Sequence, residues 1–248
     1  MKPWSAAAFA VALLGSGLFG TCAETRSSDL ALVLAVDVSG SIDDDRFNLQ
    51  REGIAAALES DELSAAISHG INQTMEIAVI EWAEEQRVVL PWTVVRGHDD
   101  LAALAGDLRR AGRSWLHTMT DPGGGIAAAE HLFVAQPLPA RRQVIDVSGD
   151  GRQNTGARST ADARDDAVSR GITLNGLPIT SGDDPDVDVW YRLNVIGGPG
   201  AFVVVANGYD AFAEAFRQKL TLEVAGLTPG RSLAFSPNRL ALVLQRPD

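Results

Sequence analysis

Leu-Ala-Leu-Val-Leu-Ala-Val occupies residues 30–36, and Asp-Val-Ser-Gly-Ser follows directly at residues 37–41. An unbroken apolar run of this length is typical of a strand that is buried on both faces of a parallel sheet. Gly40 permits a sharp backbone turn just after the run, because it has no side chain. The stretch therefore predicts a buried strand that ends at a carboxylate and leads into a polar loop.

The rest of the chain alternates strand-like and helix-like patterns. Strands are predicted at residues 75–82, 86–92, 142–147, 172–177 and 201–205. Helices are predicted at residues 43–60, 61–69, 101–108, 124–133, 160–170, 185–195 and 209–224. The acidic run at residues 43–45 favours a helix start, because negative charge complements the positive end of the helix dipole.

This alternation defines a fold class. Strands that alternate with helices predict an α/β, doubly wound, mostly parallel central sheet with helices on both faces. The short connection between the strands at residues 75–82 and 86–92 predicts a hairpin, so one edge strand should be antiparallel.

The two ends of the chain differ from this pattern. Residues 1–23 combine a positive start, an apolar run and a pair of small residues, which is the layout of a secretory signal peptide. We therefore expect a signal peptide at residues 1–23, one domain at residues 24–225 and a C-terminal tail of unknown role at residues 226–248. A membrane anchor is the alternative for the N-terminal segment, but its apolar run is shorter than the ~20 residues that span a bilayer.

The cysteine content and the net charge limit the cellular compartments and the classes of partner to be expected. Cleavage after Ala23 removes Cys22, the only cysteine, and so excludes disulfides, thiol catalysis and zinc–thiolate sites from the mature chain. The formal charge is −11, and loss of Lys2 with the signal peptide makes it −12. An acidic surface disfavours nucleic acid and anionic membranes as partners. We expect a periplasmic or secreted protein, with no stable membrane insertion after signal cleavage.

Three oxygen-bearing side chains follow the first strand. Asp37, Ser39 and Ser41 are spaced by two, so one carboxylate and two hydroxyls can converge on a tight turn. In open α/β sheets, ligands bind beyond the carboxyl ends of the strands, near the switch in strand order. Hard oxygen donors favour Mg²⁺, with Mn²⁺ and Ca²⁺ as alternatives, over Zn²⁺ or Cu²⁺. Taken alone, the same pattern is equally typical of a helix N-cap.

The motif Asp37-x-Ser39-x-Ser41 after a buried strand resembles the opening of the metal-ion-dependent adhesion site (MIDAS) of von Willebrand factor type A (vWA) domains. That family adds a threonine from a later loop and an aspartate at the end of a later strand. Thr120 lies in a Thr-x-x-Gly-x-x-Ile sequence before a predicted helix, and Asp150 lies in an Asp-Gly pair after a predicted strand. Both resemble the family's remaining ligand positions.

The resemblance covers roughly residues 29–225 and implies a Rossmann-like vWA fold with a divalent metal site. The implied metal ligands are Asp37, Ser39, Ser41, Thr120 and Asp150. If the threonine of the family motif aligns two residues earlier in this loop, Thr118 is the ligand in place of Thr120. In the resemblance, the two aspartates set the charge and hold waters, the hydroxyls ligate directly, and one coordination position stays open for a carboxylate of a protein or peptide partner.

Three further stretches, at residues 144–151, 174–179 and 195–202, resemble an uncharacterised, secreted bacterial subfamily of vWA domains, a domain of unknown function. This resemblance implies a fold and a metal site and names no substrate. We therefore expect an exported binding module with a divalent cation and no organic cofactor, and we do not expect an enzyme.

Three other interpretations stay open. The first is a structural domain whose metal only stabilises the fold. The second is a phosphatase resembling haloacid dehalogenases, with Asp37 as nucleophile; such enzymes need an acid two residues later, where this chain has Ser39. The third is a serine hydrolase, for which the chain has four histidines, including His117 near Thr120, but no Gly-x-Ser-x-Gly elbow.

Overall fold

The central sheet is built around one fully buried strand, β1. The computed structural model describes residues 26–113, 119–181, 184–229, 234–236 and 239–241. The strands of the sheet are β1 (Leu30–Asp37), β2 (Met75–Trp82), β3 (Gln86–Val95), β4 (Gln143–Gly149), β5 (Thr173–Thr180) and β6 (Ala206–Asn207). Their order in the sheet is β3-β2-β1-β4-β5-β6. β2 and β3 pair antiparallel and the other neighbours pair in parallel, so the predicted mixed α/β class is confirmed.

Within the described residues, seven α-helices connect and cover the strands. They are α1 (Asp44–Leu58), α2 (Asp61–Ser68), α3 (His98–Arg110), α4 (Pro122–Leu132), α5 (Thr160–Ser169), α6 (Val187–Asn194) and α7 (Phe212–Ala225). Four of them, α1, α2, α4 and α5, follow a short polar side chain that accepts a hydrogen bond from the first turn. Asp43 accepts from the backbone N–H of Arg46 at 2.8 Å, which confirms the predicted helix start at the acidic run.

Alternate residues of β1 point to opposite faces of the sheet, and a different set of helices covers each face. Leu32 packs in a core with residues of α1, α2, α3 and α7. Val33 packs in the other core with residues of α4, α5 and α6. Both side chains are fully buried. The unbroken apolar run of β1 follows from this burial on two faces.

The predicted bounds of the last strand, residues 201–205, are wrong, because the regular strand β6 is Ala206–Asn207 and the predicted segment forms only one parallel bridge, between Val203 and Gly176. Gly176 of β5 exchanges backbone hydrogen bonds of 3.1 Å with Phe202 and Val204, but the backbone N–H of Phe202 donates to the side chain of Asn175 at 3.0 Å, and the ladder does not extend through the segment. Gly200 precedes it with φ of 74°, in the left-handed region that favours glycine. A single bridge, flanked by a side-chain contact and a glycine turn, therefore stands where the regular strand was expected.

The expected signal peptide at residues 1–23 lies outside the described residues. In the C-terminal tail, β7 (Ala234–Ser236) and β8 (Arg239–Ala241) form a short antiparallel hairpin. Among the residues that the structure describes, no helix is both long and apolar enough to cross a membrane.

Helix α4 approaches the sheet closely at one glycine. A Cβ on Gly125 would lie 2.8 Å from Cγ of Trp82, closer than side-chain carbons pack. The Trp82 ring is fully buried and cannot move aside without disturbing its neighbours. Gly125 therefore sets the distance between α4 and β2.

We expect Gly125→Val to lower the free energy of unfolding by about 1–3 kcal/mol, because the added side chain overpacks the contact with Trp82. Gly112→Val is the matched control, because a Cβ on Gly112 meets no atom within 4 Å. Urea denaturation of both variants measures the difference. Equal losses of stability in the two variants would contradict the packing argument.

Candidate metal centre

The candidate site lies where the strand order reverses. β1 and β4 are neighbours at the centre of the sheet, and the chain leaves β1 towards β2 on one side and returns to β4 on the other. The carboxyl ends of the two strands therefore meet at one crevice, where open α/β sheets bind ligands. Asp37 ends β1, and Asp150 directly follows β4.

Asp37 is fully buried, and only one of its carboxylate oxygens has a hydrogen-bond partner among the described residues. Oδ1 accepts from the backbone N–H of Ser39 at 2.8 Å. Oδ2 is buried and accepts no hydrogen bond from the part of the chain that the structure describes. A buried carboxylate oxygen without a partner is costly, and such atoms are uncommon in folded proteins.

The second serine connects the two aspartates. The Ser41 hydroxyl donates to Oδ1 of Asp150 at 2.5 Å. The Ser39 and Ser41 hydroxyl oxygens lie 3.5 Å apart. The loop after β1 and the end of β4 are therefore in direct contact, and four of the five predicted ligands form one connected group.

Thr120 is held beside this group by a pair of reciprocal hydrogen bonds. Its backbone N–H donates to Oδ1 of Asn154 at 2.8 Å, and the backbone N–H of Asn154 donates back to the Thr120 carbonyl at 3.0 Å. A Cβ on Gly151 would lie 3.4 Å from Cγ2 and 3.7 Å from the hydroxyl oxygen of Thr120, so the Thr120 side chain lies against the Asp150-Gly151 turn. Thr118, the alternative ligand, and His117 lie outside the described residues.

Gly149 leaves room for two polar atoms beneath the site. A Cβ on Gly149 would lie 2.6 Å from Oδ2 of Asp37 and 2.8 Å from the hydroxyl oxygen of Tyr191. The Tyr191 hydroxyl is buried and also has no hydrogen-bond partner among the described residues. Burial and the nearby Asp37 raise the pKa of Tyr191 well above its usual value, so the group stays protonated.

Arg46 and Tyr209 form the other wall of the site, around Asp150. The Tyr209 hydroxyl donates to Oδ2 of Asp150 at 2.8 Å. The Arg46 guanidinium lies 3.7 Å from the same oxygen and 5.0 Å from the centre of the Tyr209 ring. It also donates to the Ser41 carbonyl at 2.7 Å, which fixes a positive charge at the rim.

The two aspartates affect each other electrostatically. Burial, and then the negative charge of Asp150, raise the pKa of Asp37 to about 7 from its usual 3.8. The Ser39 hydrogen bonds oppose this shift and do not outweigh it. In the absence of a cation, the crevice therefore holds more negative charge than its surroundings neutralise.

The predicted ligand set contains only two carboxylates and three hydroxyls. Among the described residues there is no group of three or more His, Cys, Asp or Glu side chains that could hold a metal ion. Any ion at this site would therefore be bound by few charged ligands, with neutral oxygens completing its coordination.

Four residues of this environment are missing from the sequence-based ligand set. They are Arg46, Asn154, Tyr191 and Tyr209. Asn154 lies in the same polar loop as Asp150 and could have been proposed from the sequence. Tyr191 and Tyr209 come from distant segments, and no local pattern in the sequence connects either of them to Asp37 or Asp150.

Comparison with solved structures identifies the fold. The chain is similar to proximal thread matrix protein 1 from the mussel byssus with a zinc-occupied MIDAS motif, at 14% identity and a TM-score of 0.58, over 79% of this chain and 46% of that one. It is similar to a von Willebrand factor type A protein from Catenulispora acidiphila at 19% identity and a TM-score of 0.56, over 80% and 43% of the two chains. The chain thus spans less than half of either structure.

A third similar structure matches over almost its whole length. It is the vWF domain of the type V pili tip protein Mfa5 from Porphyromonas gingivalis, at 10% identity and a TM-score of 0.57, over 84% of this chain and 99% of that one. A search of curated proteins finds no match. These similarities confirm the vWA fold that the sequence predicts.

A family model matches residues 27–228, which include all five predicted ligands and every strand of the central sheet. The chain therefore belongs to the family described as "Protein of unknown function (DUF1194)", and its fold is that of a vWA domain.

Proposed function

We propose that this chain is an exported vWA-like binding module that holds a divalent cation with Asp37, Ser39, Ser41, Thr120 and Asp150. The cation would engage an acidic group of a protein or peptide partner. The observation that carries this proposal is the buried Oδ2 of Asp37, which has no hydrogen-bond partner among the described residues.

The charge of the site supports a cation. Asp37 and Asp150 are 0% and 4% exposed, so water neutralises little of their charge. Arg46 lies near Asp150, but at 3.7 Å and at the rim it does not reach the orphaned oxygen of Asp37. A divalent ion between the two carboxylates would balance two negative charges at once and give Oδ2 a partner.

The ligand chemistry supports a hard ion. Carboxylate and hydroxyl oxygens suit Mg²⁺ best, with Mn²⁺ and Ca²⁺ as alternatives. The similar mussel byssus protein holds zinc in its MIDAS motif, so zinc belongs among the ions to be tested. We propose that the two aspartates supply the charge, partly through waters, and that the three hydroxyls ligate directly.

The surroundings of the site favour an acidic ligand. An ion bound by two carboxylates and neutral hydroxyls keeps enough positive charge to attract a further carboxylate at an open coordination position. A groove of about 900 Å³ opens beside the site, and both Arg46 and Tyr209 line it. The Arg46 guanidinium offers paired N–H donors that match the geometry of a carboxylate.

The proposed location is the periplasm or the exterior of the cell, after cleavage of the signal peptide at residues 1–23. The similarity to a domain of a pili tip protein supports a role in binding at the cell surface. We propose no catalytic residues, and no nucleic-acid partner, because the chain carries a formal charge of −11.

We expect Mg²⁺, Mn²⁺ or Ca²⁺, added after EDTA treatment, to raise the melting temperature of the wild-type chain. An ion that binds only the folded state stabilises it by about 2.7 kcal/mol at a hundred times its Kd. Asp37→Asn should abolish the rise while leaving the metal-free chain folded, because the amide removes a buried charge. Asp99→Asn, which alters an exposed carboxylate on α3, is the control and should keep the rise. A rise in Asp37→Asn equal to that of wild type would refute the site.

The stability of the metal-free chain should fall as the pH rises from about 4 to about 7. The pKa of Asp37 is about 7 in the folded state, so over this range the folded state holds a proton that the unfolded state has lost. Above about pH 7 the contribution of Asp37 is constant. Urea denaturation in EDTA at several pH values measures the slope, and Asp37→Asn should show a shallower one. Identical slopes would contradict the assigned pKa.

The open coordination position can be tested without knowing the partner. With Mn²⁺ bound, water at the open position should speed the relaxation of bulk water protons, and acetate should reduce that effect by displacing the water. Acetamide, which is neutral and of similar size, should reduce it far less. If Mn²⁺ stabilises the chain but acetate does not change the relaxation of water protons, the metal site is closed and the domain is structural.

A further inference from the structure

Three charged side chains are buried together between β4 and α7, in a group separate from the candidate metal centre. Asp146 lies in the middle of β4, and Lys219 and Glu223 lie one turn apart on α7. Their side chains are 1%, 0% and 0% exposed. Charged groups are rarely buried this completely, so their arrangement calls for a physical account.

The lysine contacts both carboxylates. Lys219 Nζ touches Oδ1 of Asp146 and donates to Oε1 of Glu223 at 2.6 Å. The Phe202 ring lies 5.6 Å from the same nitrogen, on the apolar side of the group. Asn175, which pairs with Asp146 across the β4–β5 ladder, donates to Oε1 of Glu223 at 2.8 Å.

The group contains two carboxylates and one ammonium, so one negative charge has no counterpart within it. Burial, and then the charge of Asp146, raise the pKa of Glu223 to about 7 from its usual 4.5. Glu223 is therefore available as a proton donor and acceptor near neutral pH, beside an amine and a second carboxyl group.

The carboxyl groups of Glu223 and Asp146 differ in the hydrogen bonds that they accept. Oε1 of Glu223 accepts hydrogen bonds from both Lys219 and Asn175. Asp146 instead forms an ion pair with Lys219 through Oδ1, and neither of its oxygens accepts a hydrogen bond from the described residues. Asp146 is thus held by its ion pair with the amine and by no hydrogen bond from another described residue.

We propose that Lys219 and Asp146 condense into an intramolecular isopeptide bond, with Glu223 carrying the proton. The ammonium of Lys219 first passes one proton to the Asp146 carboxylate, which leaves a neutral amine and a neutral acid. The amine nitrogen attacks Cγ of Asp146 and forms the new C–N bond. Glu223 takes a proton from this nitrogen and returns one to the departing hydroxyl, so the C–O bond breaks and water leaves.

The step balances without any other reactant. One ammonium and one carboxylate become one amide and one water, and no atom is oxidised or reduced. Holding two reacting groups together can be equivalent to raising their concentration to about 10⁵–10⁸ M. The amide also replaces a buried pair of charges by a neutral group, which lowers the cost of burying this part of α7.

Intact-mass measurement of the purified full chain under denaturing conditions tests the proposal. We expect a mass lower by one water than the sequence of the recovered chain requires. Trypsin should then fail to cleave after Lys219, and a branched peptide should join the segment containing Lys219 to the segment containing Asp146. A chain of full mass, with two separate linear peptides, would overturn the proposal.

One side reaction causes the same loss of mass and must be distinguished from the isopeptide bond. Asp150-Gly151 can lose water by closing to a succinimide, and it shares a tryptic peptide with Asp146. Hydroxylamine cleaves a succinimide and leaves an isopeptide bond intact, and fragmentation of the branched peptide shows which residue is joined. Loss of water at Asp150 alone would also overturn the proposal.

Two variants assign the roles. Lys219→Arg keeps the positive charge but has no nucleophilic amine, so it should have the full mass. Glu223→Gln keeps both reacting groups and should slow the loss of water at least tenfold. If the cross-link forms in Glu223→Gln as fast as in wild type, Glu223 does not carry the proton. EDTA should change none of these results, because the group lies apart from the metal centre.

Discussion

A fully buried strand with a parallel neighbour on each side, β1, constrains the rest of the molecule. Parallel neighbours require crossover connections, and these connections supply the helices that cover both faces of the sheet. The same arrangement brings the carboxyl ends of β1 and β4 together. Asp37 is consequently buried at the point where the strand order reverses, with one backbone N–H to bind one of its oxygens. The candidate metal centre follows from this burial.

The fold was predictable because its signals are local. The apolar run of β1, the hairpin between β2 and β3 and the alternation of strands with helices each appear within short stretches of sequence. The exception is the segment at residues 201–205, which looks like a strand by composition. Its pairing is limited to one bridge with Gly176, and the side chain of Asn175, also from β5, takes the backbone N–H of Phe202; such contacts leave no trace in a local pattern.

The site was predictable to the extent that its residues follow strand ends. Asp37 and Asp150 each come after a recognisable strand, and the structure places both in one crevice. Tyr191, Tyr209 and Arg46 reach the same crevice from helices or a turn, and their roles depend on packing between elements. Side chains that complete a site from a distance cannot be read from spacing along the chain.

Two buried aspartates lie in or directly after β4. They are Asp146 and Asp150, and each belongs to a group with excess negative charge. At one, Asp150 lies close to Asp37 at the carboxyl ends of β4 and β1, where we propose a divalent cation. At the other, Asp146 lies in the interior, and the positive charge comes from Lys219 of the chain itself. The two groups are buried to a similar degree, and they differ in whether the chain itself supplies a cation in contact with the carboxylates.

The central position of β1 also has a mechanical consequence. A pulling force along this strand acts on its hydrogen bonds to β2 and β4 in shear, so many of them bear the load together. The two-residue strand β6, at the edge of the sheet, has few such bonds and would detach under a much smaller force. Under tension the loop that holds Asp37 would therefore keep its shape after the edge of the sheet had opened.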